Sequence, residues 1–186
     1  MNPFRCLAGA LLASACLVSI SNSQEKEKEK DKTTWESHSH KIGKFKINLP
    51  PGKPNEQIID IPVGDEKIKL FIFGVESETQ SFLVGYCDYP KEIVEKGDPE
   101  DLLDGVMKGM LEGMKGKEKS TEKIKIEGFS ARELSFTIPD AKATGKARAF
   151  LVKNRLYQII AFEAKEKPEK VDDFLKSFSL LKEEKK

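Results

Sequence analysis

The chain has 186 residues, a length that suits one domain, and 38% of them are hydrophobic, which is enough for a packed core. Its 32 Lys and Arg residues against 31 Asp and Glu residues leave a formal net charge of +1, so no global field attracts a polyanion. Only four of the cations are arginines, the side chain whose planar fork reads phosphates and base edges. Length, composition and charge therefore exclude wholesale disorder and argue against nucleic acid as a partner.

The first 23 residues have the pattern of an export signal. Arg5 is their only charge, Cys6 to Ile20 is an apolar run of about 15 residues, and small residues precede Gln24. A run of this length is short for a membrane-spanning helix of about 20 residues. We therefore expect residues 1–23 to be a signal peptide and the mature protein to reach the periplasm or cell envelope, or otherwise to be secreted.

A second interpretation of the N-terminus concerns Cys16. The string ASAC that ends at Cys16 resembles a bacterial lipoprotein box, in which the cysteine is lipidated and becomes the mature N-terminus. A lipid there would anchor the protein at a membrane surface without a spanning helix. The usual leucine three residues before the cysteine is Ala13 in this chain, so ordinary cleavage is preferred. Ordinary cleavage leaves Cys87 as the one cysteine of the mature chain, without an intramolecular disulfide.

Charged sequences flank one folded region. Residues 24–34 contain the string EKEKEKDK, whose strictly alternating charges have no apolar face to bury, so we expect a solvated, disordered tether. Residues 182–186 have a similar composition and are expected to be a disordered tail. The folded region is therefore predicted to be a single domain over residues 35–181.

Alternating apolar and polar residues predict a series of strands. The alternations fall in segments 44–49, 59–63, 68–75, 81–89, 123–127, 134–138, 147–152 and 156–162. Segments 68–75 and 81–89 are apolar on both faces, which predicts central strands in a sheet that is covered on both sides. Turns are predicted at Gly64-Asp65, at Gly128 and at 153–155, where Asn154 tolerates the positive φ of a tight hairpin.

Two helices complete the predicted elements. Asp98 is a natural N-cap, Pro99 suits the first helical position, and a broad apolar face follows as far as Met114. A short final helix is predicted from the apolar spacing of Val171 and Phe174 with their neighbours. The order of strands, helix, strands and helix predicts the α+β class, with a largely antiparallel sheet and helices packed on it.

Three glycines, Gly105, Gly109 and Gly113, repeat every four residues along the first predicted helix. Each costs about 1 kcal/mol relative to alanine within a helix, so a compensating purpose is expected. One interpretation is close packing of the helix against the sheet. The alternative is a contact with a helix of a partner protein.

The sequence offers few residues for catalysis or metal binding. It contains no dinucleotide glycine fingerprint, phosphate loop, serine nucleophile elbow or Cys-x-x-Cys pair. His38 and His40 would share one face of a strand, which makes them the candidate metal ligands, but a third ligand such as Glu36 or Asp60 would be required. We expect an exposed, incidental histidine pair, and we predict no catalytic residue and no cofactor.

Three further features have a structural and a functional interpretation. Cys87 falls in a predicted central strand and is expected to be a buried structural cysteine. Trp35 precedes the first predicted strand and is expected to cap the edge of the sheet, with contact to a ligand or partner as the alternative. Asp88, Asp101 and Asp104 are interpreted as ordinary strand-end and helix-face charges.

Five short segments resemble a known group of proteins. They are Leu49–Pro54 (LPPGKP), Leu103–Gly105 (LDG), Lys123–Glu133 (KIKIEGFSARE), Asn154–Gln158 (NRLYQ) and Phe174–Phe178 (FLKSF). In this order, over about residues 40–180, they are similar to small exported bacterial proteins of the PsbP/Mog-like superfamily, which also includes the DcrB type of envelope lipoprotein. One departure is Ala131, where the family has its second glycine before the arginine.

The resemblance implies an α/β/α sandwich, in which a central antiparallel sheet lies between helices. It implies no catalytic residues, because members of understood role mostly act as binding or assembly subunits. We therefore expect a non-enzymatic exported accessory or interaction protein of the cell envelope, monomeric by itself, with an envelope protein as partner. Membrane contact is expected only through an N-terminal lipid. The alternative is a periplasmic carrier of a small ligand or a metal ion.

Overall fold

A computed structural model describes residues 34–63, 66–165 and 168–182. The predicted signal peptide, Cys16, the tether up to residue 33 and the tail beyond residue 182 lie outside these residues, as does the predicted Gly64-Asp65 turn. Regular structure in the described residues extends from Glu36 to Leu180.

Ten strands and three α-helices make up the described part of the chain. In chain order they are β1 Glu36–His40, β2 Phe45–Leu49, β3 Asn55–Val63, β4 Glu66–Glu76, β5 Gln80–Asp88, α1 Lys91–Lys96, α2 Pro99–Gly113, β6 Lys117–Ile126, β7 Phe129–Ile138, β8 Ala143–Val152, β9 Arg155–Glu163, α3 Val171–Ser177 and β10 Ser179–Leu180. A single 3₁₀ turn, Pro139–Ala141, joins β7 to β8.

The strands form two sheets. Seven of them lie in the order β3-β4-β5-β9-β8-β7-β6, and the other three lie in the order β1-β2-β10. Every strand pair in both sheets is antiparallel. The predicted class, a largely antiparallel sheet with helices packed on it, is therefore confirmed.

Both faces of the seven-stranded sheet are covered, and each cover has its own hydrophobic cluster. On the front face, β2 and α3 pack over an aromatic group that includes Tyr86, Phe150 and Tyr157. On the back face, α2 packs over a cluster of smaller aliphatic and sulfur-containing side chains. The molecule is thus layered, with the large sheet between α2 on one side and the small sheet with α3 on the other.

Adjacent residues of β5 show why its sequence is apolar on both faces. Tyr86 belongs to the front cluster and Cys87 to the back cluster, with exposed fractions of 3% and 0%. Because side chains alternate along a strand, a strand that is buried on both sides has no polar positions to alternate with. The prediction of a two-sided sheet from segments 68–75 and 81–89 is confirmed by β4 and β5.

The start of α2 follows the predicted capping chemistry. The Asp98 carboxylate accepts a hydrogen bond of 2.8 Å from the backbone N–H of Glu100, and Pro99 occupies the first helical position. The buried side chains of the helix are Leu103, Met107 and Met110. The local sequence therefore determines both where α2 begins and which of its faces meets the sheet.

The close-packing interpretation of the helix glycines is wrong for Gly105 and Gly109. A Cβ atom at either position would meet nothing within 4 Å. With 3.6 residues per turn, Gly105 lies about 200° around the helix from Leu103, so the glycine row lies away from the buried face. A contact with a partner helix remains a prediction.

Three elements and one turn differ from the sequence predictions. Strands β1 and β10 and helix α1 were not predicted, because β1 has no alternation of apolar residues, β10 has only two residues and α1 has no buried residue. In the β8–β9 hairpin, positive φ falls on Lys153, at 57°, and not on Asn154. In the β6–β7 hairpin the predicted turn at Gly128 is confirmed, with φ of 89°.

Candidate functional site

The histidine pair lies on β1, an edge strand of the small sheet. His38 and His40 share a face of β1, as their spacing requires, and both rings lie against Phe73, with centroid distances of 6.1 and 5.1 Å. His40 also stacks on Phe45, with centroids 5.0 Å apart and an interplanar angle of 2°. His40, whose side chain is 12% exposed, is therefore part of the packing at the end of the front cluster, and the prediction of an exposed, incidental histidine is wrong for it.

The polar atoms of His40 have partners within the chain. Its Nδ1 accepts a hydrogen bond of 2.9 Å from the backbone N–H of Gly43, and its Nε2 lies 3.6 Å from Glu56 Oε1. Over residues 34–63, 66–165 and 168–182, no three His, Cys, Asp or Glu side chains are grouped to hold a metal ion. The described residues therefore place no third metal ligand beside His38 and His40.

Trp35 packs on the front cluster. Its ring meets Phe82 edge-on at 5.1 Å and lies 6.4 Å from Phe174 of α3. Phe82 belongs to β5, the third strand of the large sheet, so Trp35 covers a face of that sheet and does not cap its edge. The predicted edge cap is thus corrected, while contact of Trp35 with a ligand or partner remains a prediction.

Cys87 is fully buried, as predicted for a structural cysteine. Burial, followed by the nearby Asp88 carboxylate, raises the pKa of its thiol to about 12. At neutral pH the group is a thiol, whereas the thiolate is the reactive form. The position of Cys87 thus favours packing over nucleophilic chemistry.

Asp88 forms a specific ion pair, which corrects its interpretation as an ordinary strand-end charge. Its carboxylate receives two hydrogen bonds from Arg155, of 2.6 Å from Nε and 2.7 Å from Nη2. These bonds lower the pKa of Asp88. The third nitrogen, Nη1, donates to the backbone carbonyl of Ile42, and the guanidinium lies 5.3 Å from the centre of the Tyr86 ring. Arg155 thus joins β9, β5 and the β1–β2 turn.

Two exposed isoleucines lie at the ends of this arrangement. Ile42 is 75% exposed and Ile58 is 60% exposed. Ile58 stands directly opposite Phe71 across the β3–β4 pair, and Phe71 stacks on Tyr86 at 5.0 Å. From Tyr86, which is buried, the contacts continue through Arg155 to the backbone carbonyl of Ile42. We call the surface around Ile42, Ile58, Phe71 and Arg155, with the buried Tyr86 between them, the isoleucine face.

The second cluster of charged residues lies on the back face and centres on Arg132, which is 1% exposed. Its guanidinium pairs with Asp104, through Nε at 2.5 Å, and with Glu100, through Nη2 at 2.8 Å. Lys123 contributes a second ion pair to Glu100 at 3.2 Å. The hydrogen bonds from Arg132 and Lys123 lower the pKa of Glu100.

A cleft of about 260 Å³ opens beside this cluster. It is lined by Glu100, Lys123, Ile124, Lys125, Ser130 and Arg132. The cleft was not predicted, since Lys125 and Ser130 become neighbours only through the register of β6 on β7. The sole sequence signal was the Ala131-Arg132 pair in the segment that resembles the PsbP/Mog-like superfamily. Two carboxylates that the sequence presents as ordinary helix charges, Glu100 and Asp104, prove to hold the buried arginine.

The structure was compared with known proteins. No family model matches the sequence, and no match was found among curated proteins. The fold is similar to the solution structure of cyanobacterial PsbP (CyanoP) from Synechocystis sp. PCC 6803, with a TM-score of 0.54 and 13% sequence identity. The similarity covers 84% of this chain and 98% of that chain.

The fold is PsbP-like. At 13% sequence identity the similarity shows the fold alone, because one fold can serve many unrelated functions. The PsbP-like fold confirms the architecture implied by the resemblance of the five segments. Among the described residues, no helix has the length and apolar character that crossing a membrane requires.

Proposed function

We propose that this chain is a non-enzymatic accessory or interaction protein of the cell envelope, exported through its N-terminal signal. The observation that carries the proposal is the isoleucine face. Exposed large apolar side chains that adjoin one another mark interaction surfaces, whereas single exposed apolar side chains need no explanation. Ile42 and Ile58 are at the two ends of one continuous set of contacts, through Arg155, Tyr86 and Phe71.

The charges around the isoleucine face indicate what kind of partner it fits. Arg155 is neutralised by Asp88, and Lys69 stands opposite Asp60 across the β3–β4 pair. Since these charges are balanced within the chain, the surface fits an uncharged, apolar patch of a protein better than a polyanion or an acidic peptide. The occupant is therefore a protein of the envelope with an apolar anchor side chain.

Site-specific photocrosslinking in the native envelope tests this function. A photoreactive amino acid at position 58 is expected to capture one defined protein, while the same amino acid at exposed Lys119 on the far edge strand is not. Adding Ile42→Asp should abolish the capture, because a charge placed in an apolar interface must be desolvated without a partner. Ile93→Asp is the matched control, since Ile93 is also an exposed isoleucine, 37% exposed, but lies outside the isoleucine face.

The captured protein is then purified and mixed with this chain. Direct binding that is lost with Ile42→Asp and kept with Ile93→Asp supports the proposal. Capture that survives Ile42→Asp, or crosslinks only between copies of this chain, overturns it. The mass of the mature N-terminus tests the export step separately, because a chain that keeps residues 1–23 in the envelope contradicts the predicted signal peptide.

A second candidate function is that of a small-ligand carrier. The cleft beside Arg132 favours it, because the cleft combines several polar groups in one concave surface. The two functions use opposite faces of the large sheet, so each can be tested without disturbing the other.

A further inference from the structure

The cleft beside Arg132 lies where the first turn of α2 meets the β6–β7 hairpin. Its two walls come from Glu100 on α2 and from two cross-strand pairs, Lys123 with Arg132 and Lys125 with Ser130. Three cations and one carboxylate line it, and Asp104 pairs with Arg132 as a second carboxylate, so the cleft keeps a local charge of +1 although the chain as a whole is almost neutral. A concave positive surface raises the local concentration of anions.

The floor of the cleft is a guanidinium that is fixed in place. The Arg132 side chain is 2% exposed, and its Nε and Nη2 are occupied by Asp104 and Glu100. Among the described residues no acceptor bonds Nη1, and no fully buried side-chain nitrogen or oxygen lacks a partner. Nη1 is therefore not completely buried, and Arg132 lines the cleft.

The wall formed by Lys125 and Ser130 adds two more donors. Both residues are exposed, and their side chains have no hydrogen-bond or ion-pair partner in the described parts of the chain. Lys123 differs, because its ammonium group is held by Glu100 at 3.2 Å. The cleft thus presents an ammonium group, a hydroxyl group and one edge of a guanidinium group for which the described residues supply no acceptor.

We propose that this cleft binds a tetrahedral oxyanion, a phosphate group, through Arg132 Nη1, Lys125 Nζ and Ser130 Oγ. The three donors differ in shape and lie on one face of two neighbouring strands, Lys125 opposite Ser130 and Arg132 two residues further along β7. A tetrahedral anion has enough oxygen atoms to accept from all three at once, whereas a planar carboxylate has two. The phosphate group arrives either as inorganic phosphate or as a small phosphate monoester.

Calorimetric titration of the whole chain at constant ionic strength tests the proposal. Inorganic phosphate and glycerol 3-phosphate are the two probes, with sodium acetate as the planar anion. Saturable binding of at least one phosphate probe is expected. Lys125→Ala and Ser130→Ala should each weaken it about tenfold, because each removes a hydrogen bond to a charged group. The ratio of the two phosphate affinities identifies the form that is bound.

Lys119→Ala is the matched control, since Lys119 is an exposed lysine of the same strand that does not line the cleft. It should leave the binding constant unchanged. Absence of saturable binding, equal loss in the Lys119 variant, or an equal affinity for acetate overturns the proposal. Ser130 is exposed, so the variants at 125 and 130 are expected to fold normally, and partner capture at the isoleucine face should persist in both.

Discussion

Each arginine of the domain joins segments that are far apart in the sequence. Arg132 ties β7 to α2, Arg148 ties β8 to Glu133 and to the backbone carbonyl of Leu175, and Arg155 ties β9 to Asp88. The planar guanidinium suits this task because it presents five donors in a rigid fork. At the scale of single residues, the chain uses its few arginines as tertiary connectors, and its many lysines remain mostly at the surface.

The Asp88–Arg155 pair predicts a specific dependence of stability on pH. Arg155 lowers the pKa of Asp88 below its ordinary value of 3.8, so the folded state favours the charged carboxylate. This stabilisation is present above the ordinary pKa and is lost as the pH falls through the lower, folded value. Asp88→Asn should therefore lower the free energy of unfolding by about 1 kcal/mol at pH 7 and by progressively less below pH 3.8.

Urea denaturation of both proteins between pH 7 and pH 2 measures this difference. Asp101→Asn is the control, because Asp101 is exposed and the described part of the chain gives it no ion pair. It should show a small difference that does not change with pH in the same way. A constant difference between wild type and Asp88→Asn down to pH 2 would contradict the role of the charge.

At the scale of elements, α2 packs against the sheet through apolar side chains, and two of its glycines lie on the opposite side, away from the sheet. Leu103, Met107 and Met110 fill the contact with the back face of the sheet, while Gly105 and Gly109 have open space around them. Glycine within a helix costs backbone entropy that alanine does not. The two glycines therefore lower the stability of the isolated domain, and no atom of the described residues lies close enough to either position to require a glycine there.

Gly105→Ala and Gly109→Ala should each raise the free energy of unfolding by about 1 kcal/mol. Thermal denaturation of the variants checks this increase. Gly145→Ala is the contrasting variant, because a Cβ there would lie 2.5 Å from the Cβ of Phe162 in β9, and it should be destabilising. Loss of stability in the Gly105 variant would disprove the open-space interpretation.

At the scale of the whole molecule, the two hydrophobic clusters share one sheet. Strands β4, β5, β7, β8 and β9 contribute residues to both clusters. A sheet that loses the cover on one face exposes apolar side chains and weakens the strands that support the other face. We therefore expect the domain to unfold as one cooperative unit despite its two clusters.

Removing one buried side chain from each cluster tests this cooperativity. Phe174→Ala should cost about 3–5 kcal/mol and Met107→Ala about 2–5 kcal/mol, because both leave cavities in fully packed surroundings. The fluorescence of Trp35, which touches only the front cluster, and far-ultraviolet circular dichroism should show the same midpoint in both variants. Separate transitions for the two signals would show that the faces unfold independently.

Much of the fold could be predicted from local patterns. The strand at Phe45–Leu49, the two-sided strands β4 and β5, and the N-cap at Asp98 all follow from periodicity and capping chemistry within one segment. Strand β1 was not predicted because its sequence, ESHSH, has no apolar residues to alternate with polar ones. The direction of the glycine row was predicted wrongly, because the apolar face of α2 is broad and only tertiary contacts decide which part of it is buried.

No local sequence pattern indicated which residues form the candidate sites. Asp88 and Arg155 are 67 residues apart, and Arg132 and Asp104 are 28 residues apart. Charged residues are frequent in this chain, so no local pattern distinguishes the few that pair from the many that are solvated. The histidine pair, which does form a local pattern, turns out to be held by packing and by Gly43.

The sequence by itself determined the order of the main strands and of α2 and α3, the α+β class and the two-sided burial of the central strands, because these depend on side-chain periodicity within short segments. Only the tertiary structure decided which charged groups meet, that Ile42 and Ile58 belong to one surface, and that Lys125 and Ser130 line a cleft with Arg132. The physical reason is that these contacts depend on the register of neighbouring strands. Cross-strand neighbours are set by how distant segments align, and that alignment follows from the packing of both faces of the sheet.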